Sequence, residues 1–101
     1  MELLKKIEDL LDEKKVEDIT ILDVKDRTPF SEYYVIGTAL NERSLEAIAQ
    51  ALEDLLFREK GIDIKKDGTP ESGWIAIEAD NVLVHVLTKE KREIFKLEDI
   101  K

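Results

Sequence analysis

The apolar residues of the chain follow two different periodicities, and these divide it into helices and strands. Leucines and isoleucines three and four positions apart in residues 2 to 15 predict an amphipathic helix. A second stripe follows Asn41, a residue type that favours the position before a helix, and runs toward Gly61. Its apolar members are Leu45, Ile48, Ala49, Leu52, Leu55 and Leu56. Both stripes predict helices that pack on a sheet.

Alternating and β-branched residues predict five strands. These strands cover residues 19 to 25, 33 to 38, 62 to 65, 74 to 78 and 82 to 87. Only Ala79, Asp80 and Asn81 separate the last two, which predicts an antiparallel hairpin. Both faces of the strand over residues 82 to 87 are largely apolar, because valines alternate with Leu83, His85 and Leu87. This strand should therefore be central in the sheet.

The order of these elements predicts an α+β fold in a single domain over residues 1–101. Helices lie mainly on one face of a mixed, about five-stranded sheet, and the other face stays open. The strand, helix and strand from residue 33 to residue 65 form a crossover that places its two strands parallel. The segment 66 to 73, with two glycines and Pro70, reads as the main ordered loop. A last short helix begins after Thr88 and includes Ile94, Phe95 and Leu97.

Composition narrows the classes of partner and compartment. The formal net charge is −8, from 16 Lys and Arg against 24 Asp and Glu, which disfavours binding to a phosphate backbone and favours a basic protein partner. No cysteine is present, so disulfides, thiolate metal sites and thiol nucleophiles are excluded. No apolar run approaches the roughly 20 residues of a membrane span. We therefore expect a soluble, cytoplasmic protein that binds neither membrane nor specific nucleic acid.

Two residues that occur once each lie on the predicted hairpin. His85 lies between two leucines on its strand face, and this setting favours a hydrogen-bonded structural role over partner contact, catalysis or metal binding. Trp74 begins its strand beside the irregular segment Pro70-Glu71-Ser72-Gly73. An indole at such a rim either packs over the sheet edge or anchors a partner, and the preceding loop favours the second reading.

Several short motifs, in their order and spacing along the chain, resemble the ribosomal silencing factor family, also called RsfS or Iojap-like. The motifs are Asp18 to Val24, Glu32 to Thr38, Arg43 at a helix start, Glu71 to Leu87, Arg92, and Phe95 to Glu98. Two positions depart from the family pattern. Asp80-Asn81 stands where a glycine-aspartate turn is usual, and Ser44 stands where a histidine is usual.

The resemblance implies a translation repressor with a nucleotidyltransferase-like core that lacks catalytic residues. Such a protein docks on large-subunit ribosomal protein fourteen and sterically blocks the joining of the small and large subunits, without a cofactor or metal. The resemblance and the rim position of Trp74 together predict the partner-binding residues. These are Pro70, Glu71, Ser72, Trp74, Glu78, Asp80, Glu32 and Tyr33.

Other readings remain open beside this one. The chain could instead serve as a large-subunit assembly factor or as an acidic adaptor for another basic protein, and an exposed strand edge leaves a homodimer open. A nucleotidyltransferase-type enzyme is a minor alternative, since Gly37-Thr38 before the long helix partly matches a phosphate-binding start. The nearest carboxylate pair, in Glu78-Ala79-Asp80, enters a turn where acids are common, so we predict no catalytic residue.

Overall fold

The computed structural model describes residues 2–95, and within them it contains three α-helices, one π-helix and five strands. The α-helices are α1 (Glu2–Glu13), α2 (Glu42–Glu53) and α3 (Lys89–Phe95), and the π-helix Asp54–Glu59 continues α2. The strands are β1 (Glu17–Asp23), β2 (Tyr33–Ala39), β3 (Ile64–Thr69), β4 (Trp74–Ala79) and β5 (Val82–Thr88). The predicted order of elements is confirmed, while Leu97 and the motif residues after Phe95 lie outside the described part of the chain.

All five strands join one mixed sheet in the order β1-β2-β5-β4-β3. The hairpin partners β4 and β5 are antiparallel, and only β2 and β5 pair in parallel among neighbouring strands. The predicted central place of β5 is confirmed. The predicted parallel direction of β2 and β3 also holds, but β5 and β4 lie between them, so the crossover spans two strands.

One face of the sheet is covered by α1 and α2, whose leucine stripes form the core as predicted. Ile7 and Leu11 of α1 and Leu45 and Leu52 of α2 are completely buried. They pack against inward-facing residues of the strands, among them Val35, Ile75, Ile77, Val82, Val84 and Val86. Since α1 and α2 are amphipathic, this packing leaves their charged residues in solvent.

The predicted limits of the second helix are also confirmed. The Oδ1 atom of Asn41 accepts a hydrogen bond of 2.8 Å from the backbone N–H of Ser44, which caps the start of α2. The π-helix then ends at Glu59, and its C-cap Lys60 is followed by Gly61 with a φ of +67°. A positive φ is easiest for glycine, so the helix stops where the sequence indicated.

The prediction of an ordered loop over residues 66 to 73 is wrong for its first half. Strand β3 continues to Thr69, and only residues 70 to 73 form the turn before β4. The segment reads as a loop because it is polar and contains Gly68, yet β3 lies at the sheet edge, where charged residues and glycine are tolerated. At Gly68, φ is +91° and a Cβ atom would lie 2.1 Å from the carbonyl oxygen of Trp74.

The face opposite α1 and α2, hereafter the outer face, is not fully open as expected, because α3 packs across part of it. Arg92 of α3 is buried and donates hydrogen bonds to the hydroxyls of Thr20 at 2.8 Å and Thr38 at 2.9 Å. It also donates to the carbonyl oxygen of Asp18. The guanidinium therefore fastens α3 to β1 and β2. No helix among residues 2–95 is long and apolar enough to cross a membrane.

Candidate functional site

The outer face contains a groove of about 560 Å³, here called the Trp74 groove. Strands β3, β4 and β5 and helix α3 each contribute to it. Its apolar lining is Trp74, Ala76, Leu83 and Phe95, with His85 among them, and its charged lining is Lys65, Asp67, Glu78 and Lys91. Gly68 and Ser72 complete the lining. The groove is therefore an aromatic surface with charges of both signs at its rim.

Trp74 and His85 meet across the hairpin as diagonal neighbours. Trp74 is paired with Leu87 in the strand register, while His85 is paired with Ala76, so the two side chains lie on the same face. The indole Nε1–H donates a hydrogen bond of 3.1 Å to Nδ1 of His85. Phe95 of α3 also packs against the indole, with ring centroids 4.6 Å apart. The indole is half-buried, so part of it faces solvent.

The predicted hydrogen bonding and burial of His85 are present in the structure. Only 8% of the residue is exposed, and the ring of Tyr34 meets it edge-on at a centroid distance of 5.6 Å. Burial lowers the pKa of His85 to about 4, because a charged imidazolium would lose its hydration. The ring is therefore neutral near pH 7. Since Nδ1 accepts the indole proton, the proton of the neutral ring lies on Nε2.

The turn before β4 holds Trp74 at a fixed place on the rim. The Ser72 hydroxyl donates to the carbonyl oxygen of Thr69 at 2.7 Å, and the N–H of Thr88 donates to the carbonyl oxygen of Gly73 at 2.9 Å. Gly73 has a φ of +77°, and a Cβ there would lie 2.7 Å from Cγ of Lys91. These bonds tie the turn to both β3 and the end of β5. Within the turn Glu71 is exposed and Pro70 is half-buried.

The other predicted contact residues lie at the opposite end of the hairpin. Asn81 donates from Nδ2 to a carboxylate oxygen of Glu32 at 3.0 Å, and its carbonyl accepts from the N–H groups of Glu32 and Tyr33. Asp80 is exposed in the turn with a φ of +50°. Phe30, which the sequence reasoning did not select, is 80% exposed two residues before Glu32.

Tyr33 faces away from the groove, toward the side of α1 and α2, where it is half-buried against the core. Its hydroxyl accepts a hydrogen bond of 3.2 Å from Nζ of Lys25, and this bond, together with the charge of Asp23, raises the pKa of Lys25. The next residue, Tyr34, faces the groove side and contacts His85. Successive residues of a strand point to opposite faces, so the two tyrosines have different environments.

The structure therefore divides the eight predicted contact residues into two groups. Pro70, Glu71, Ser72, Trp74 and Glu78 lie at or beside the Trp74 groove, and three of these five line it directly. The second group, here called the turn group, consists of Glu32, Tyr33 and Asp80. Strand β4 separates the two ends of the hairpin by about 20 Å, given the rise of about 3.3 Å per residue. The indole is not surrounded by acids alone, because Lys65 and Lys91 line the groove beside Asp67 and Glu78.

The residues that suggested a phosphate-binding enzyme have other roles in the structure. A Cβ on Gly37 would lie 2.4 Å from Cγ1 of Val16, so this glycine permits close packing of the connection between α1 and β1 on β2. Thr38 is buried and its hydroxyl accepts from Arg92. Within residues 2–95, no group of three or more His, Cys, Asp or Glu side chains could hold a metal ion.

Phe95, Lys91 and Arg92 of α3 also lie on the outer face, although none of them was among the predicted site residues. The available signal was the absence of a loop between β5 and the last helix. A helix that starts directly after a central strand must fold over one face of the sheet. The apolar residues Leu83 and Leu87 on the outer face provide a surface for it to cover.

Comparison with known proteins finds similarity along nearly the whole chain. Residues 1–100 match a family described as ribosomal silencing factor during starvation. The ribosomal silencing factor RsfS of Bacillus subtilis is 32% identical over 90 residues, which cover 88% of this chain and 75% of the relative. The RsfS of Halalkalibacterium halodurans is 31% identical over 100 residues, with 98% and 85% of the two chains covered.

A solved structure and a more distant relative extend the comparison. A crystal structure of a protein from Bacillus halodurans superposes with a TM-score of 0.85 at 31% identity, covering 96% of this chain and 90% of that one. A mouse protein named mitochondrial assembly of ribosomal large subunit protein 1 is 24% identical over 94 residues. Those residues cover 90% of this chain and 41% of the mouse protein.

Proposed function

This chain belongs to the ribosomal silencing factor family, and from that premise we propose that it represses translation by docking on large-subunit ribosomal protein fourteen. Occupancy of this surface then hinders joining of the small subunit. The action is steric: no bond is made or broken, and no cofactor takes part. The proposed place of action is the cytoplasm.

The half-exposed indole of Trp74 is the observation that carries this proposal. Tryptophan is the residue type most often found as an interface hot spot, because a large rigid ring buries much area at little conformational cost. Here the turn, His85 and Phe95 already hold the ring in the free protein. A preorganised anchor loses little side-chain entropy on binding, which supports the Trp74 groove as the centre of the contact.

Charge supports a basic partner. The net charge of −8 attracts cationic proteins at long range and raises the rate of encounter. At short range, Asp67 and Glu78 at the rim of the groove accept hydrogen bonds from lysine or arginine, and Glu71 extends the acidic edge. Lys65 and Lys91 would repel a partner surface that carries positive charge everywhere, so they disfavour such a partner. The groove therefore suits a partner surface on which cations flank an apolar centre.

The turn group forms the second part of the proposed contact. Glu32 and Asp80 present carboxylates about 20 Å from Trp74, a distance that one protein interface of standard size can span. Tyr33 contributes least, because it packs toward the core. We assign the anchoring role to the groove and the orienting role to the turn group.

Reassociation of purified subunits tests the steric mechanism. Large subunits are incubated with the protein, small subunits are added, and joined ribosomes are separated from free subunits on a sucrose gradient. We expect the wild-type chain to reduce the joined fraction and Trp74→Ala to leave it unchanged. Phe57→Ala is the matched control, because Phe57 is a large exposed ring on the π-helix, on the side of α1 and α2. Undiminished joining with wild-type protein bound to large subunits would contradict the mechanism.

A role in large-subunit assembly is the second candidate, and it is favoured by the name of the mouse relative. An assembly factor would accompany immature large subunits and would leave the reassociation of mature subunits unaffected. Depletion of the protein in growing cells separates the two roles. Large-subunit precursors accumulate if assembly is the main role, whereas a normal precursor profile with faster subunit joining supports the repressor.

A further inference from the structure

We propose that His85 is a positioning residue, whose Nδ1 atom holds the indole of Trp74 in the half-exposed orientation that the partner contacts. The consequence for binding rests on the function proposed above. The orientation itself is a property of the free protein, so the two claims can fail separately.

The hydrogen bond between the rings fixes the direction of the indole. The indole N–H is only a donor, and it lies 3.1 Å from Nδ1 of His85. A half-buried tryptophan could satisfy this donor with water instead. The bond to His85 turns the polar edge of the indole toward the sheet, which leaves carbon atoms of the ring on the solvent side. Phe95 packs on the indole but is itself 47% exposed near the end of α3, so it provides less directional control.

His85 is well placed to impose this direction because it is itself buried. It lies on the central strand β5, between Ile36 of β2 and Ala76 of β4 in the strand register. Tyr34 contacts its ring edge-on from β2. A side chain held from both neighbouring strands can transmit its orientation to a partner at the rim. The diagonal spacing of cross-strand neighbours brings the indole within reach without any distortion of the sheet.

Three substitutions separate the hydrogen bond from simple packing. His85→Asn keeps an acceptor oxygen close to the position of Nδ1, whereas His85→Phe keeps a planar ring without an acceptor. Tyr34→Phe is the matched control, since it keeps the ring that touches His85, and within residues 2–95 the Tyr34 hydroxyl makes no hydrogen bond. A role in packing alone predicts that Phe is tolerated better than Asn. Positioning by the acceptor predicts the reverse.

The first measurement uses the free protein. Trp74 is the only tryptophan, so a single indole N–H signal appears in a nitrogen-correlated NMR spectrum. We expect its exchange with solvent to be up to about tenfold faster in His85→Phe, and unchanged within about twofold in His85→Asn and Tyr34→Phe, because one hydrogen bond is worth about 1 kcal/mol. Equal exchange in wild type and His85→Phe would overturn the positioning role.

The second measurement is the affinity for purified large subunits, obtained from a titration followed by cosedimentation. His85→Phe should bind about 3- to 10-fold more weakly, mainly through faster dissociation, and His85→Asn should restore affinity to within about twofold. Weak binding by both variants, or by neither, would contradict the proposal. If the wild-type chain does not bind large subunits, the proposed function fails, and the exchange measurement still decides whether His85 positions Trp74.

Should His85→Phe not fold, His85→Gln replaces it in both measurements. The oxygen of glutamine lies near the position of Nε2, one bond further from the backbone than the acceptor that the indole uses. The Asn and Gln variants have similar polarity, so a difference between them reports the place of the acceptor. Slow indole exchange and full affinity in His85→Gln would overturn the proposal, and fast exchange with weaker binding would support it.

Discussion

The face of the sheet under α1 and α2 and the outer face around Trp74 use different contacts. Under the helices, aliphatic residues such as Leu11, Leu52 and Val84 are completely buried against each other. On the outer face, rings meet at defined angles and polar atoms are paired, as in the hydrogen bond from Trp74 to His85. The first face excludes water almost entirely, whereas the second keeps a groove open to solvent.

Under the proposed function, stability and recognition lie on opposite faces of the sheet. Aliphatic packing is non-directional and contributes in proportion to the area that it removes from water. Hydrogen-bonded aromatic groups contribute less area but fix the orientation of a few side chains. A substitution on the helix face should therefore mainly change the free energy of unfolding. A substitution in the groove should mainly change the affinity for the partner, while the protein still folds.

Truncation of a buried leucine should have the largest effect on stability. Leu52→Ala removes a completely buried side chain of α2, and we expect a loss of about 3 to 5 kcal/mol in the free energy of unfolding, measured in urea. Leu83 is half-buried in the Trp74 groove, so Leu83→Ala is the matched control and should lower the free energy of unfolding by about 1 to 2 kcal/mol. Equal losses at the two positions would break the comparison between the faces.

Acid should weaken the outer face through His85. Its pKa falls from 6.5 to about 4 on folding because of burial, so the unfolded state binds a proton that the folded state does not. Above about pH 6.5 the histidine is neutral in both states and does not reduce the free energy of unfolding. As the pH falls from 6.5 toward 4, protonation of the unfolded state progressively lowers that free energy. The full difference is roughly 3 kcal/mol, at about 1.4 kcal/mol per pKa unit.

Comparison with His85→Asn isolates this contribution, since the variant retains an acceptor but does not titrate. Tyr34 of β2 contacts the ring, and the charged residues that line the same groove are Glu78 of β4, Lys65 and Asp67 of β3, and Lys91 of α3. They are the same in both proteins. Urea unfolding at several pH values should show stability falling more steeply for the wild type between pH 6.5 and 4, and parallel curves would contradict the assignment.

A methyl group at Gly37 should have a smaller effect, confined to the helix face. Its Cβ would lie 2.4 Å from Cγ1 of Val16, so Gly37→Ala should lower the free energy of unfolding by about 1 to 3 kcal/mol. The double variant Val16→Ala/Gly37→Ala should be less destabilised than the sum of the single changes, because the smaller side chain relieves the overlap. Additive losses would show that the close approach to Val16 is not the cause.

Much of the helix face could be predicted from sequence, because its contacts follow from periodicity. The stripe from Leu45 to Leu56 predicted the orientation of α2, and the two apolar faces of residues 82 to 87 predicted the central place of β5. Strand β3 escaped prediction beyond Lys65, since an edge strand needs no apolar pattern on a face that stays exposed. Gly68 within this strand is typical of a loop in the sequence, whereas in the structure it lets the backbone of β3 lie close to the carbonyl oxygen of Trp74.

The candidate site was predictable only in its local parts. The sequence placed Trp74 and His85 on one hairpin and predicted a semi-buried, hydrogen-bonded histidine. It did not show that they bond to each other, because a diagonal contact depends on the register of the hairpin. Nor did it place Phe95 beside the indole or Arg92 beneath α3, since these contacts depend on how the last helix crosses the sheet. Tyr33 and Tyr34 could be assigned opposite faces, but not which face each takes.

The most direct test of the account is the affinity of Trp74→Ala for purified large subunits, beside Phe57→Ala and the wild type. A titration followed by cosedimentation gives the dissociation constant for each protein, and unfolding in urea shows that all three are folded. Loss of a central aromatic anchor costs about 2 kcal/mol or more, so we predict at least about 30-fold weaker binding for Trp74→Ala. The Phe57→Ala protein should bind as the wild type does. Unchanged affinity in a folded Trp74→Ala protein would contradict the assignment of recognition to the outer face.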